Sequence, residues 1–206
     1  MRLNGNHHYG LRHDAFAAHE LAVLRDDIMA SPHLGGSRLS TSFDGTLGFS
    51  LVFTRGGIDE VVGRFPYLAT FVQRTLRPSC NAFYLNPLVM RGGAAIAPHV
   101  DCSLSSYLGG GRTTPLLVGV LYIDVPDDLR GGELVMHADD AEVGRVQPRA
   151  GTLLYFGGRL RHHVTPVATA ATRLSLVCEQ YKLDDAALAR IPTFELLAGV
   201  STYEAR

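Results

Sequence analysis

A mainly β chain of the jelly-roll type, with helices packed outside it, is the fold class this sequence predicts. Three observations carry it. From Cys80 onward, short apolar, β-branched and aromatic runs recur between turn signals. The long helical patterns fall within about the first 78 residues. No long helical pattern separates one β-like run from the next, which disfavours a parallel α/β sheet. The chain has 206 residues, 46% of them hydrophobic and 19% charged, enough for one sizeable core in one domain spanning 1–206. We divide it into a helical part, about 1–78, and a jelly-roll core, about 80–182.

The elements follow in order. Asp14 is placed to cap a helix over AFAAHELAVLRDDIMA, which ends before Ser31-Pro32. Thr46 to Thr54 (TLGFSLVFT) reads as a strand. A second helical pattern runs from Ile58 to Leu76, with Pro66 inside it to kink or divide it. Eight strand-like runs come next: CNAFYLNPLVM, AAIAPHVD, PLLVGVLYIDV, GGELVMH, AEVGRVQP, GTLLYF, RHHVTPV and TRLSLVCEQY. A short helix is expected at 184–190. Glycine clusters at 35–36, 56–57, 92–93, 109–111, 131–132 and 157–158 mark turns.

Charge and composition exclude several classes. A net charge of -1 lacks the positive excess of a nucleic-acid binder or a polybasic membrane patch. No apolar run approaches the roughly 20 residues that span a bilayer. Met1 to Gly10 has no apolar segment, so no secretory signal is expected. Cys80, Cys102 and Cys178 include no CxxC pair, which rules out a zinc ribbon or a thioredoxin-type site and suits a reducing cytoplasm.

His99-Val100-Asp101 is the sharpest feature. Residues i and i+2 of a strand share a face, so an imidazole and a carboxylate here can grip one cation together. The triplet alone is near chance frequency, and a second one, His137-Ala138-Asp139, exists. A third ligand from another strand decides between them, because a two-His, one-carboxylate Fe(II) site leaves three positions open on one side. His162-His163 lies 63 residues beyond His99, room for four strands, but only 25 beyond His137. The 137–139 triplet runs into Asp140 and reads as a solvated hairpin. Neighbouring strand residues face opposite sides, so one of His162 and His163 looks inward; spacing leaves the choice open.

Arg173 and Ser175 share a face of the last long strand. A guanidinium buried there needs a carboxylate, and a fixed fork beside a hydroxyl suits a bidentate one. The alternative is a surface arginine paired with Glu179 or a loop acid.

As an ordered set, HVD (99–101), HHVTPV (162–167) and RLS (173–175) resemble the Fe(II)- and 2-oxoglutarate-dependent dioxygenases. VLYIDVPDDLRGGELVM (120–136) is similar to a segment of their prolyl 4-hydroxylase-like branch, while the Arg-x-Ser pair looks more like the plant-type branch. The resemblance covers roughly 81–181. It implies a double-stranded β-helix, a cupin-like barrel. It implies His99, Asp101 and His162 as iron ligands, since the family's distal histidine is followed by x-Val-x-Pro-Val, which matches 162 and not 163. Arg173 would bind the far carboxylate of 2-oxoglutarate with Ser175 and Tyr122 beside it. Tyr84 and Asn86 fall near a strand pair that helps hold this cosubstrate. Plain core packing is the other reading of Tyr84 and Tyr122. Fe(II), 2-oxoglutarate and O2 are the implied cofactors, and ascorbate is compatible as an addition. Aspartate at 101 favours hydroxylation or desaturation over halogenation, because related halogenases carry a small residue there.

The compact chain has no added docking domain, so the expected partner is a small-molecule substrate, such as an amino acid or a biosynthetic intermediate, hydroxylated at an unactivated C–H bond. A prolyl hydroxylase-like enzyme acting on a peptide, a cupin-type metal protein and a non-catalytic jelly-roll module are the other classes. The loop from Ser103 to Pro115 could be a lid; Tyr107 and Arg112 on it, and Arg159 and Arg161 near the distal histidine, read as surface residues ahead of substrate contacts. Cys102 and Cys178 read as small buried hydrophobes, and Gly131-Gly132-Glu133 as a structural turn. Oligomeric state has no signature here.

Overall fold

The computed structural model describes residues 8–36, 43, 45–168, 170 and 172–199. In chain order the elements are β1 (Tyr9–Arg12), α1 (Ala18–Met29), β2 (Gly35–Gly36), β3 (Thr46–Gly48), β4 (Ser50–Thr54), α2 (Ile58–Arg64), a 3-10 turn (Pro66–Leu68) and α3 (Ala69–Thr75). There follow β5 (Ala82–Met90), β6 (Ile96–His99), β7 (Leu117–Asp124), β8 (Leu134–Ala138), β9 (Ala141–Val146), β10 (Leu153–Gly157), β11 (Arg161–Val164), β12 (Arg173–Tyr181), α4 (Asp185–Leu188) and β13 (Phe194–Leu197). All eight expected runs after Cys80 are strands.

Two antiparallel sheets face each other. The larger has the order β1-β10-β7-β12-β5-β3-β2, with β4 also on β5 and β13 on β4. The smaller has the order β6-β11-β8-β9. Period-two alternation makes the larger sheet two-faced. On β12, Leu174, Leu176 and Cys178 join one core, with Leu24 and Ile28 of α1, Val61 of α2 and Phe71 and Val72 of α3. Each such side chain contributes about 1.5–3 kcal/mol on burial, which is why the helices lie on this face. The opposite face, with Val118, Val120 and Tyr122 of β7, meets Ile96, Leu134, Met136 and Val164 of the smaller sheet. The site lies between the sheets on that face.

Several expectations are corrected. Asp14 caps nothing: it sits at φ +49, Ala15 N–H bonds to the Gly151 carbonyl at 2.9 Å, and α1 starts four residues later. The Glu20 carboxylate accepts the Ala17 N–H at 2.8 Å and closes the first turn. The segment before it is β1, paired with β10. The N-terminal part is therefore not only helical. It supplies β1 to β4 to the larger sheet, Gly35-Gly36 being a strand and not a turn. The 46–54 run is divided at Phe49. The register is continuous across the break, which sets Phe49 against Pro87, and proline has no N–H to donate to the ladder. Pro66 divides the second helical pattern as expected. Asp184 accepts the Ala187 N–H at 2.8 Å and caps α4.

The 131–132 turn ties the sheets' connections together. Gly131 pairs with Val167 and has φ +71; a Cβ there would lie 2.0 Å from the Pro166 carbonyl oxygen. Gly131→Ala combines left-handed strain with a backbone clash. We expect a loss of about 2–4 kcal/mol, seen as a lower urea midpoint at unchanged slope; an unchanged midpoint would refute the account.

Candidate active site

His99 ends β6 and His162 lies on β11, directly opposite it in register. Asp101 follows two residues after His99. One ligand atom from each of the three residues lies within 4.8 Å of the others. His99 Nε2 is 3.3 Å from Asp101 Oδ1, and His162 Nε2 is 3.5 Å from Asp101 Oδ2. Each imidazole is oriented from behind: His99 Nδ1–H donates to the Ala97 carbonyl at 2.8 Å and His162 Nδ1–H to the Leu160 carbonyl at 3.0 Å. A carbonyl only accepts, so these bonds fix the tautomer and leave both Nε2 lone pairs pointing inward. Phe43 and Phe156 pack edge-on against His99 and His162.

This donor set fits a divalent cation. Two bare imidazole nitrogens and a buried carboxylate turn toward one point, with no hydrogen-bond donor among them, and Asp101 Oδ2 has no hydrogen-bond partner. Burial holds the His162 imidazole below its ordinary range, in the neutral ligating form. Burial pushes Asp101 up, but His162 and His99 outweigh it and hold its carboxyl below the usual range. Burial works to lower His99 as well; there Asp101 prevails and raises it. The geometry is that of a two-His, one-carboxylate facial site.

The choice between the adjacent histidines is settled by burial. His162 is buried inside; His163 faces the other side and stacks on His137 with ring centroids 5.6 Å apart. His137, in register with Arg161, is the next-to-last residue of β8, close to the 139–140 turn, and takes no part in the cluster. We expect His162→Ala to lose metal-dependent turnover by orders of magnitude and His163→Ala to change it less than about threefold. Equal losses in the two variants would refute the assignment.

The triad opens onto a cavity of about 510 Å³ between the sheets. Arg173 lies on its wall, 3% exposed. Its Nη2 touches Met90 Sδ at 3.0 Å, its Nε and Nη1 have no partner, and no carboxylate among the described residues is within ion-pair distance. The Tyr122 ring lies 5.5 Å from the guanidinium carbon, and the Tyr122 hydroxyl is likewise unpartnered. Burial pushes the Arg173 pKa down and the Tyr122 pKa up. Ser175 lines the same wall. A buried cation with two free donor nitrogens and two hydroxyls beside it fits the carboxylate of a small organic acid. Tyr84 and Asn86 line the cavity from β5, but both are engaged: Tyr84 shares a 2.6 Å hydrogen bond with Ser50, and the Asn86 amide donates to the Phe49 carbonyl at 2.7 Å.

Two expectations about the cavity change. Tyr107 and Arg112, read as surface residues, line it; Tyr107 donates to Glu195 at 2.7 Å. Cys102, read as buried, is half-exposed in the same wall. Arg159 and Arg161 are exposed and stand outside it. Sequence reasoning also missed Glu179. It is buried on the cavity face of β12, and burial pushes its carboxyl up to about 8. The alternation that paired Arg173 with Ser175 runs on through Val177 to Glu179 and was the available signal.

A double-stranded β-helix here carries a His-His-Asp cluster that could hold a metal ion and, in the same cavity, a buried arginine without a carboxylate partner. Residues 85–178, a little under half of the chain, match the family model of the 2OG-Fe(II) oxygenase superfamily, whose members use Fe(II), 2-oxoglutarate and O2. A PKHD-type hydroxylase of Maricaulis maris is 36% identical over 87 residues, 42% of this chain; the chain spans only 36% of that protein. The fold is shared with a Pseudomonas putida prolyl-4-hydroxylase (21% identity, TM-score 0.59, 87% of this chain and 95% of that one). It is also shared with a Trichoplax adhaerens prolyl hydroxylase bound to a hypoxia inducible factor peptide fragment (16%, TM-score 0.60, 91% and 88%). Among the described residues no helix is long and apolar enough to cross a membrane.

Proposed function

We propose that this protein is a 2-oxoglutarate-dependent hydroxylase that inserts one oxygen atom into an unactivated C–H bond of a small molecule, an amino acid or a biosynthetic intermediate, with release of succinate and CO2. The observation that carries the reading is Arg173: a buried guanidinium with two free nitrogens, in the same cavity as the triad. A cupin-type metal protein has no need of it.

His99 and His162 would hold the metal through Nε2, and Asp101 through its carboxylate. When bound, Fe(II) and 2-oxoglutarate supply the oxidative decarboxylation of the cosubstrate and the C–H oxidation coupled to it. Arg173 receives the far carboxylate and, with Tyr122 and Ser175, fixes its pose. The Ala97 and Leu160 carbonyls lock the imidazole planes so that no reorganisation is needed. Leu88, Val118, Val120 and Phe156 make the inner wall apolar and exclude water from the reacting groups. A peptide substrate, as in the Trichoplax structure, is the second reading.

The anaerobic protein with Fe(II) should develop the weak visible metal-to-ligand band on adding 2-oxoglutarate, and should form succinate in air. Small molecules and prolyl peptides are then scored for gain of one oxygen by mass. Neither band nor succinate would end the oxygenase reading; oxidation of peptides alone would end the small-molecule one.

A further inference from the structure

Among the described residues, three buried acidic or guanidinium side chains open onto the cavity: Arg173, Asp101 and Glu179. On the oxygenase reading, on which this inference rests, Arg173 meets the cosubstrate carboxylate and Asp101 meets the metal. Glu179 is left over. It is 4% exposed, and no cationic side chain among the described residues lies within ion-pair distance of it. Its partners are neutral donors. Oε2 accepts the Ser103 N–H at 3.1 Å and the Tyr181 hydroxyl; Oε1 accepts the Ser103 hydroxyl at 2.5 Å. These donors fix the carboxyl's orientation but bring no positive charge, which is why burial holds it largely protonated; a cation seated beside it would supply the missing counter-charge and hold it ionised.

Arg173 cannot supply that counter-charge. The two residues are six apart on one strand, roughly 20 Å along β12. They stand at opposite ends of the same cavity wall, with Ser175 and Val177 between them. Two tyrosines stand beside Glu179, Tyr181 through its hydroxyl and Tyr84 across the sheet. Tyr84 is directly opposite it in register on β5, which puts the two Cβ atoms about 4.5–5.5 Å apart on one sheet face. Phe43 and Tyr107 line the same cavity. A carboxylate flanked by aromatic rings is the surrounding that recognises an ammonium group, by charge and by the negative ring faces together.

We propose that Glu179 is a substrate-recognition residue and that the group it takes is a protonated amine of a small molecule. Arg112, exposed on the 103–115 loop where it lines the cavity, has no carboxylate within ion-pair distance among the described residues and suits a carboxylate on the same substrate. Free α-amino acids are therefore the probes to use.

The protein loaded with Fe(II) and 2-oxoglutarate is titrated anaerobically with free L-α-amino acids and with their N-acetyl counterparts. Binding is read from the change in the visible band, and succinate release is read in air. At least one free amino acid is expected to bind about tenfold or more tightly than its N-acetyl form, and Glu179→Gln should bring the pair within about threefold by weakening the cationic member. A panel in which no free amine is preferred overturns the proposal, as does a Glu179→Gln protein that keeps the full discrimination. Should Glu179→Gln not fold, the wild-type comparison decides alone. A band with no amine preference sinks only this inference; no band at all sinks the oxygenase reading and this one with it.

Discussion

Asp101→Ala is expected to lower Fe(II)- and 2-oxoglutarate-dependent succinate formation by about a thousandfold or more, because the variant leaves two imidazoles to hold the metal and removes the only anionic ligand. A thousandfold corresponds to about 4 kcal/mol of lost barrier lowering. The metal-free variant should keep a cooperative melting transition. Against burial, His162 and His99 hold the Asp101 carboxyl below the usual range, so the change removes some favourable charge interaction, while the buried Oδ2 without a hydrogen-bond partner limits the loss. Loss of turnover and of the anaerobic visible band with an intact melting transition identifies a ligand. Wild-type turnover in the variant would refute that role, and a collapsed transition would point to a structural one.

Arg173→Met is expected to raise the KM for 2-oxoglutarate by about a hundredfold, the effect of losing charge-assisted bonds from a rigid fork in a dry site. The stability signature separates this from misfolding. At 2-oxoglutarate one hundred times the wild-type Kd, the wild-type protein gains about 2.7 kcal/mol, a rise of about 5–11 °C for a chain of this size. The variant at the same concentration should gain less than about 0.5 kcal/mol. Without ligand it should be at least as stable as wild type, since methionine replaces an uncompensated buried charge beside Met90 and the Tyr122 ring. An unchanged KM would remove Arg173 from the cosubstrate site.

Much of the fold was legible because local periodicity reports it. The eight runs after Cys80 alternate or stay apolar over strand lengths, and each became a strand. The elements missed have little local signal. β1 and β13 are four residues each, and β2 is a glycine pair. Such segments extend only because a neighbouring strand offers its hydrogen-bonding edge. The site divides in the same way. His99 and Asp101 announced themselves by i, i+2 spacing, and Arg173 with Ser175 likewise. Tyr107 and Arg112 lie on a loop, where no period says which way a side chain turns.

The order of the chain by itself determined that the protein is a jelly-roll with outer helices, that one His-x-Asp pair could find a distant histidine, and that an arginine and a serine share one face of the last long strand. Those are statements about neighbours along the backbone, whose geometry fixes relative directions. Only the tertiary structure decided which face of β12 looks into the cavity, and so put Glu179 beside Tyr84 and 103 while leaving His163 outside. A one-residue step reverses a strand side chain, and the packing of the second sheet and the helices selects which side is enclosed.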